Sequence, residues 1–383
     1  MRLLDHDGWV SAAPRPTLLV GSAAFWGQAE QDIRAARKRV YVQAMTFEAD
    51  AAGAAVARAI SGSAATDRKV LVDDFTRYVV SDAFVYSPRY LLDAGFRREV
   101  RHTRAMFHDL KREGVGVRIT NPVGLRLHRA AFRNHKKLIV ADDVAYIGGI
   151  NFSDHNFEWG DLMLRIENPQ IATRLAADFG DTFAGRPGSW VARFPGVGLY
   201  GLDGRDNASG FADLLAEIDR ARDTICVVSP YLTFPFLDAL ARASARGVAV
   251  QLITPLANNK PIVRDYLLPA AHKAGFDVRL TPEMIHTKGM LIDGRALVLG
   301  SSNFDFVSYH AEAEFMAILR DEALVHQFQR TVIEPFLARA VPGADHQPPA
   351  WRSALSHTAL QIAAWFIHAA QPGRNAYDAK VWT

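Results

Sequence analysis

An α/β chain laid down twice on one plan is what this sequence of 383 residues predicts. The string His-x-Lys-x4-Asp occurs at His135-Lys137-Asp142 and again at His286-Lys288-Asp293. The passage ahead of it recurs as well: Ile33-Arg34-Ala35-Ala36-Arg37 corresponds to Ile218-Asp219-Arg220-Ala221-Arg222, each preceding an apolar run. Helical stretches such as 236–245 alternate with short strands such as 248–253, the pattern of α/β layers.

Taken in order, the first half covers residues 1–190 and the second 191–345, with a helical tail at 346–383. The Gly- and Pro-rich stretch 184–201 suits the connection between halves. From Ile33 to His135 is 102 residues, whereas Ile218 to His286 is 68, so the first half carries 34 extra residues, within 76–132. Residues 76–135 hold 12 Arg plus Lys against 5 Asp plus Glu, with Tyr78, Phe84, Tyr86, Tyr90, Phe96, Phe107 and Phe132 interleaved. At a cleft rim that mixture would attract an anionic substrate and offer apolar wall. It would equally suit single-stranded nucleic acid.

Each motif reads as strand, turn, strand. Side chains two apart share a face of a strand, so His135 and Lys137 project together, as do His286 and Lys288. Leu138-Ile139-Val140 and Met290-Leu291-Ile292 are apolar runs of buried strand. Asp142-Asp143 and Asp293-Gly294 read as two-residue hairpin turns. Asp142 and Asp293 therefore have a structural role open to them beside a catalytic one. After the return strands, Gly148-Gly149 and Gly300-Ser301-Ser302 would let backbone approach a ligand. Asn151 and Asn303 follow, 16 and 17 residues after their histidines. Two imidazoles, two ammonium groups and two amides are what a phosphodiester requires: donors for the non-bridging oxygens, a nucleophile and a proton source. A carboxylate on the far ring nitrogen would fix each imidazole. Asp161, 26 residues after His135, and Glu314, 28 after His286, are the candidates, with Glu158 and Glu312 as competitors.

The paired motifs resemble the phospholipase D superfamily, and the bacterial cardiolipin synthase-like branch within it. The likeness extends over roughly 15–340, through IRAARKRVYVQAMTFEAD, its counterpart from Ile218 onward, and the Trp159-Gly160-Asp161 segment leading into a strand. It implies two similar α/β/α sandwich halves related by a pseudo-two-fold axis. It also implies a metal-free, cofactor-free, two-step reaction through a phosphohistidine, with His135 as nucleophile and His286 as general acid and base. Lys137, Lys288, Asn151 and Asn303 would hold the phosphoryl oxygens. The substrate would be a phospholipid, with an alcohol or water as acceptor. Val307 and Glu312 stand where the family's second copy commonly has Arg and Asn, which touches substrate binding more than chemistry.

Two other functions compete. A nuclease of the same superfamily would cleave DNA or RNA, and a retired scaffold would only bind phosphate; intact His, Lys and Asn in both copies argue against the scaffold. A net charge of +3 does not by itself argue for nucleic acid. The single cysteine, Cys226, reads as a core strand residue and excludes an intrachain disulfide. No secretory signal and no spanning helix is legible, pointing to a cytoplasmic protein or one peripheral on the membrane. No oligomer is required, since one chain holds both motifs. Residues 351–370 read either as a helix packed on the body or as an interfacial helix anchored by Trp365 and Phe366.

Overall fold

The structure, a computed structural model, describes residues 2–3, 14–123, 127–205, 207–370 and 380–381. The first residues of the expected amino-terminal half, part of its insertion and 371–379 of the expected tail lie outside them. The described residues group into two compact units. One takes 380–381 and those from 14 to 188 except Trp159–Asp161; the other takes 2–3, Trp159–Asp161 and those from 189 to 370.

In the amino-terminal unit the order is β1 (Arg15–Val20), α1 (Ser22–Ala35), β2 (Arg39–Ala44), α2 (Ala51–Ser61), β3 (Asp67–Asp73), α3 (Ala94–Arg112) and β4 (Gly116–Thr120). Then come β5 (Leu138–Ala141), β6 (Val144–Gly148), β7 (Leu162–Glu167) and α4 (Pro169–Phe183). The sheet runs β1-β7-β6-β5-β2-β3-β4, with residues 380–381 beyond β4. Strands β2, β3 and β4 are parallel, joined by helical crossovers, and β5 returns antiparallel to β2. Val40, Val42, Val70, Val72, Val117 and Ile139 of the sheet pack on Phe25, Ile33, Val56, Ile60 and Phe107 of three helices. On strand β2 the neighbouring Tyr41 stacks on Phe179 of α4 at 4.8 Å. Alternate residues of one strand thus meet different helices, as a sheet covered on two faces requires.

The carboxy-terminal unit repeats the plan with β8 (Trp190–Phe194), β9 (Val197–Gly201), α5 (Asn207–Arg220), β10 (Thr224–Val228), α6 (Phe236–Ala245) and β11 (Ala249–Pro255). It continues through α7 (Pro261–Lys273), β12 (Asp277–Thr281), β13 (Gly289–Ile292), β14 (Ala296–Gly300), β15 (Phe315–Leu319) and α8 (Ala350–Ala369). Its sheet contains β9-β15-β14-β13-β10-β11-β12, strand for strand the order of β1-β7-β6-β5-β2-β3-β4. Strands β10, β11 and β12 are again parallel, with β13 antiparallel to β10. Cys226 lies half-buried on β10, its Sγ 3.7 Å from Gln251 Oε1.

The extra residues of the first half fold between β3 and α3. They form a 3-10 turn (Asp74–Arg77), a small hairpin (Val79–Val80 with Ala83–Phe84) and a short helix (Pro88–Leu91). Helix α3 starts where Asp93 accepts from the Phe96 N–H at 2.9 Å, and it buries Phe96, Val100, Thr103, Phe107 and Leu110. That spacing is one helical face. Arg98, Arg101 and Arg104 stay on the exposed one. The interleaved aromatics therefore divide: Phe96, Phe107 and Phe132 are core, while Phe84 and Tyr86 face water 5.8 Å apart.

One expectation about glycine needs correcting. A Cβ at Gly148 would lie 2.5 Å from the Leu162 carbonyl, and one at Gly300 would lie 2.2 Å from that of Phe315. Both glycines are demanded by the close approach of the neighbouring strand, not by a ligand.

Candidate active site

In the amino-terminal unit the residues leading to His135 are locked by Asp73, the last residue of β3. Its carboxylate is fully buried and accepts from Arg133 Nη1 at 2.7 Å, the Asn134 N–H at 2.6 Å and the Phe75 N–H at 2.8 Å. Burial pushes the Asp73 pKa up to about 6, against the pull of the Arg133 charge and those two backbone donors. Gln43 Nε2 donates to Asn134 Oδ1 at 2.9 Å. Successive side chains then alternate: Lys136 Nζ reaches both Asp178 oxygens at 2.9 Å, while Lys137 Nζ turns back to the His135 carbonyl at 2.7 Å. Asn151 Oδ1 accepts from the Thr46 N–H at 3.3 Å.

In the carboxy-terminal unit, the Gly160 carbonyl accepts from the His286 N–H at 2.8 Å and the Thr287 N–H at 3.0 Å. Thr287 Oγ1 donates to the same oxygen at 3.0 Å. This brings Asp161 Oδ2 to 2.8 Å from His286 Nδ1, with Lys288 Nζ 3.8 Å from that oxygen. Lys288 Nζ also donates to the His286 carbonyl, repeating the turn-back of Lys137. Trp159 and Tyr231 wall the imidazole, with ring centroids at 5.2 and 6.0 Å, and Lys260 Nζ lies 4.1 Å over the Tyr231 ring. Glu314, fully buried, accepts from Ser308 Oγ at 2.8 Å and from Ser301 Oγ. Asn303 is tied through its backbone: its carbonyl accepts from Ser229 Oγ at 2.8 Å and its N–H donates to Ser308 Oγ at 3.3 Å.

Four sequence expectations change. Both His-x-Lys pairs lie on extended segments just before their strands, since the ladders begin at Leu138 and Gly289. The imidazoles thus sit at the strand mouths, free of ladder pairing. The first turn has two residues as expected, but the second has three, because Arg295 precedes the β14 pairing at Ala296. Asp293 and Gly294 adopt φ of 50° and 59°, and the Arg295 N–H closes on the Ile292 carbonyl at 3.0 Å.

Asp142 and Asp293, taken as catalytic candidates, occupy the far ends of those strands and work as clamps. Asp142 accepts from the N–H groups of Arg37, Lys38 and Arg39 at 2.8–2.9 Å. Asp293 accepts from those of Arg222, Asp223 and Thr224 at 2.9–3.2 Å. Burial alone would raise each carboxyl pKa, yet the backbone donors outweigh it and hold both below the usual range. The stabilisation is therefore fully present above the ordinary value of 3.8 and is lost as pH falls through the lowered folded values. Asp142→Asn and Asp293→Asn should each cost about 1–2 kcal/mol in urea unfolding at pH 7. The gap from wild type should narrow as pH falls below 3.8, and turnover should stay within a few-fold; a hundredfold loss of turnover would return these residues to the chemistry.

The fourth change is the most consequential. The spacing assigned Asp161 to the first motif, but it binds the histidine of the second, 125 residues away. Glu314, assigned to His286, instead meets two serine hydroxyls. Tyr231 and Lys260 were missed. The available signal was position, since both lie just beyond the carboxyl ends of parallel strands, where α/β ligand sites gather. Gln43, near the carboxyl end of β2, and Thr46, just beyond it, hold the corresponding place in the first repeat.

Two α/β repeats, each presenting His-x-Lys at the mouth of a central strand, define a phospholipase D-like protein. Within that class the family model described as cardiolipin synthase, PLD-like domain, matches residues 30–182 and 214–334, and the chain belongs to this family. The minor cardiolipin synthase of Bacillus subtilis (strain 168) is 26% identical over 265 residues, covering 64% of this chain and 66% of that protein. Cardiolipin synthase A of Pseudomonas fluorescens (strain SBW25) is 29% identical over 259 residues, covering 59% and 53%. The matches thus span between about half and two thirds of these curated relatives. The crystal structure of phosphatidylserine synthase from Haemophilus influenzae Rd KW20 shares the fold, with a TM-score of 0.68 at 17% identity over 91% of this chain and 93% of that one.

Proposed function

We propose that the protein transfers or hydrolyses phosphatidyl groups, acting on phospholipids through a phosphohistidine. The carrying observation is the buried line Asp161–His286–Lys288, a carboxylate, an imidazole and an ammonium in hydrogen-bond and ion-pair reach. An ionised carboxylate only accepts, so it holds the proton on Nδ1 and leaves Nε2 for proton transfer.

In this reading a His135 nitrogen attacks the phosphorus while His286 gives a proton to the departing alcohol oxygen as the P–O bond breaks. His286 then takes the proton of the incoming alcohol or water, whose oxygen displaces His135. Each lysine donates to its own histidine carbonyl, which holds an ammonium charge beside each imidazole for the phosphoryl oxygens. Two ammonium groups supply the positive charge that a divalent ion brings elsewhere. Asn151 and Asn303 complete the donor set. Glu314 occupies in the second repeat the place of Asp161 in the first, each directly ahead of a strand.

Polar atoms left open support a ligand site. Asn303 Oδ1, Gln43 Oε1 and Thr46 Oγ1 are buried without a partner among the described residues. Each such atom costs about 1–3 kcal/mol if nothing binds it. Peripheral contact with a membrane belongs to the same proposal, because the substrate resides there. No described helix is long and apolar enough to cross one.

The test incubates the protein with phosphatidylglycerol, with and without added glycerol, beside plasmid and single-stranded oligonucleotide, all in excess chelator. Head-group release or exchange with intact nucleic acid is expected. Nucleic-acid cleavage with inert lipid would replace this reading by a nuclease. Full loss in chelator, restored by one divalent ion, would overturn the metal-free scheme.

A further inference from the structure

Helix α8 is apolar on two faces. Inward, Ser356, Leu360 and Ile367 are buried, Arg352 Nη2 pairs with Asp265 Oδ2 at 2.7 Å, and the His357 ring lies 5.6 Å from that of Tyr266 on α7. Outward, Trp351 (67%), Leu355 (63%), Ile362 (61%), Trp365 (69%) and Phe366 (52%) are exposed. At 100° and 1.5 Å per residue they fill one arc about 100° wide and about 22 Å long, with Thr358 as the polar residue inside it. Five such residues leave on the order of 700 Å² of apolar area to water, beyond the ~300–600 Å² largest patch of an ordinary monomer.

The composition of the helix selects the occupant. Across Ala350–Ala369 there is no Asp, Glu or Lys, and the arginine is held inward by Asp265. A helix that pairs with a second copy commonly flanks its apolar seam with opposed charges that fix register. Here the flanks are Ala354, Ala359 and Gln361. Tryptophans near both ends of the arc are what the boundary between head groups and acyl chains favours. The Arg352–Asp265 pair fixes the inward face to the protein, so the helix can lie on a bilayer but not enter it end-on.

We propose that α8 is an interfacial membrane helix, laying Trp351, Leu355, Ile362, Trp365 and Phe366 into the head-group boundary of a phospholipid bilayer. This deepens the membrane contact proposed above, and rests on that reading only for the choice of phospholipid vesicles.

The experiment sediments the full chain with vesicles of phosphatidylcholine and of phosphatidylcholine with phosphatidylglycerol. The double variant Trp365→Ser/Phe366→Ser and the single variant Trp351→Ser are compared with wild type. The double variant should partition at least tenfold more weakly on both vesicles, and Trp351→Ser several-fold. Wild-type partition should change less than threefold between low and high salt, because the contact is apolar. Both variants should keep the wild-type urea transition and wild-type turnover of a short-chain soluble phosphodiester. His286→Ala should sediment like wild type, so failed catalysis and failed docking read out separately. Unchanged partition of the double variant overturns the proposal. So does a wild-type dimer at micromolar protein that the same substitutions dissociate.

Discussion

His286→Ala and His135→Ala should each lower phospholipid turnover by about ten-thousandfold or more, the loss seen when one member of an interdependent catalytic set is removed. The folds should survive, because each ring sits at a strand mouth and contributes no ladder hydrogen bond. The two losses differ in kind. Without His286 the leaving alkoxide has no proton donor, but a nitrophenyl phosphodiester needs none. On that substrate His286→Ala should still form the phosphohistidine, seen as a burst of nitrophenolate about equal to the enzyme present, and then stall. His135→Ala should give no burst with either substrate. A burst from His135→Ala alone would exchange the two roles. Near-normal phospholipid turnover in either variant would end the two-imidazole scheme.

Much of this machinery is legible in the sequence because it is local. His-x-Lys and the apolar strand after it are set by positions a few residues apart, the Asn recurs at nearly the same distance in both copies, and duplication separates them from chance. The α/β class follows from alternation over similarly short distances, and even the matched strand orders reflect a repeated run of elements. The clamps are half legible. Asp142 and Asp293 sit where a turn favours aspartate, yet their acceptance of three backbone N–H groups from the turn that leads into another strand is set by sheet pairing. Gly148 and Gly300 mislead for the same reason, since the neighbouring strand that requires them lies about 15 residues on. Asp161 is the limiting case. Nothing near it in sequence distinguishes service to the first histidine from service to the second. The choice is made by the Gly160 carbonyl, which receives the N–H groups of His286 and Thr287.

That crossed pairing makes Asp161→Asn the second large effect, a fall in phospholipid turnover of about a hundred- to ten-thousandfold. An amide at this position can turn an N–H toward Nδ1, moving the imidazole proton to Nε2 and leaving the ring in the wrong tautomer to accept one there. The side chain keeps its shape, so the urea transition should move little beyond the loss of a charge 3.8 Å from buried Lys288. A merely structural Asp161 would depress all substrates alike. A residue that positions His286 should instead lose most of its effect on the nitrophenyl burst, where no acid is needed, and keep it for the water-consuming second step. Had Asp161 served His135, as the sequence spacing suggested, the burst itself would collapse. The ratio of burst to steady-state loss in this one variant therefore distinguishes the two assignments, and a collapsed burst with an intact fold would show that the 2.8 Å contact to His286 is not the one the reaction uses.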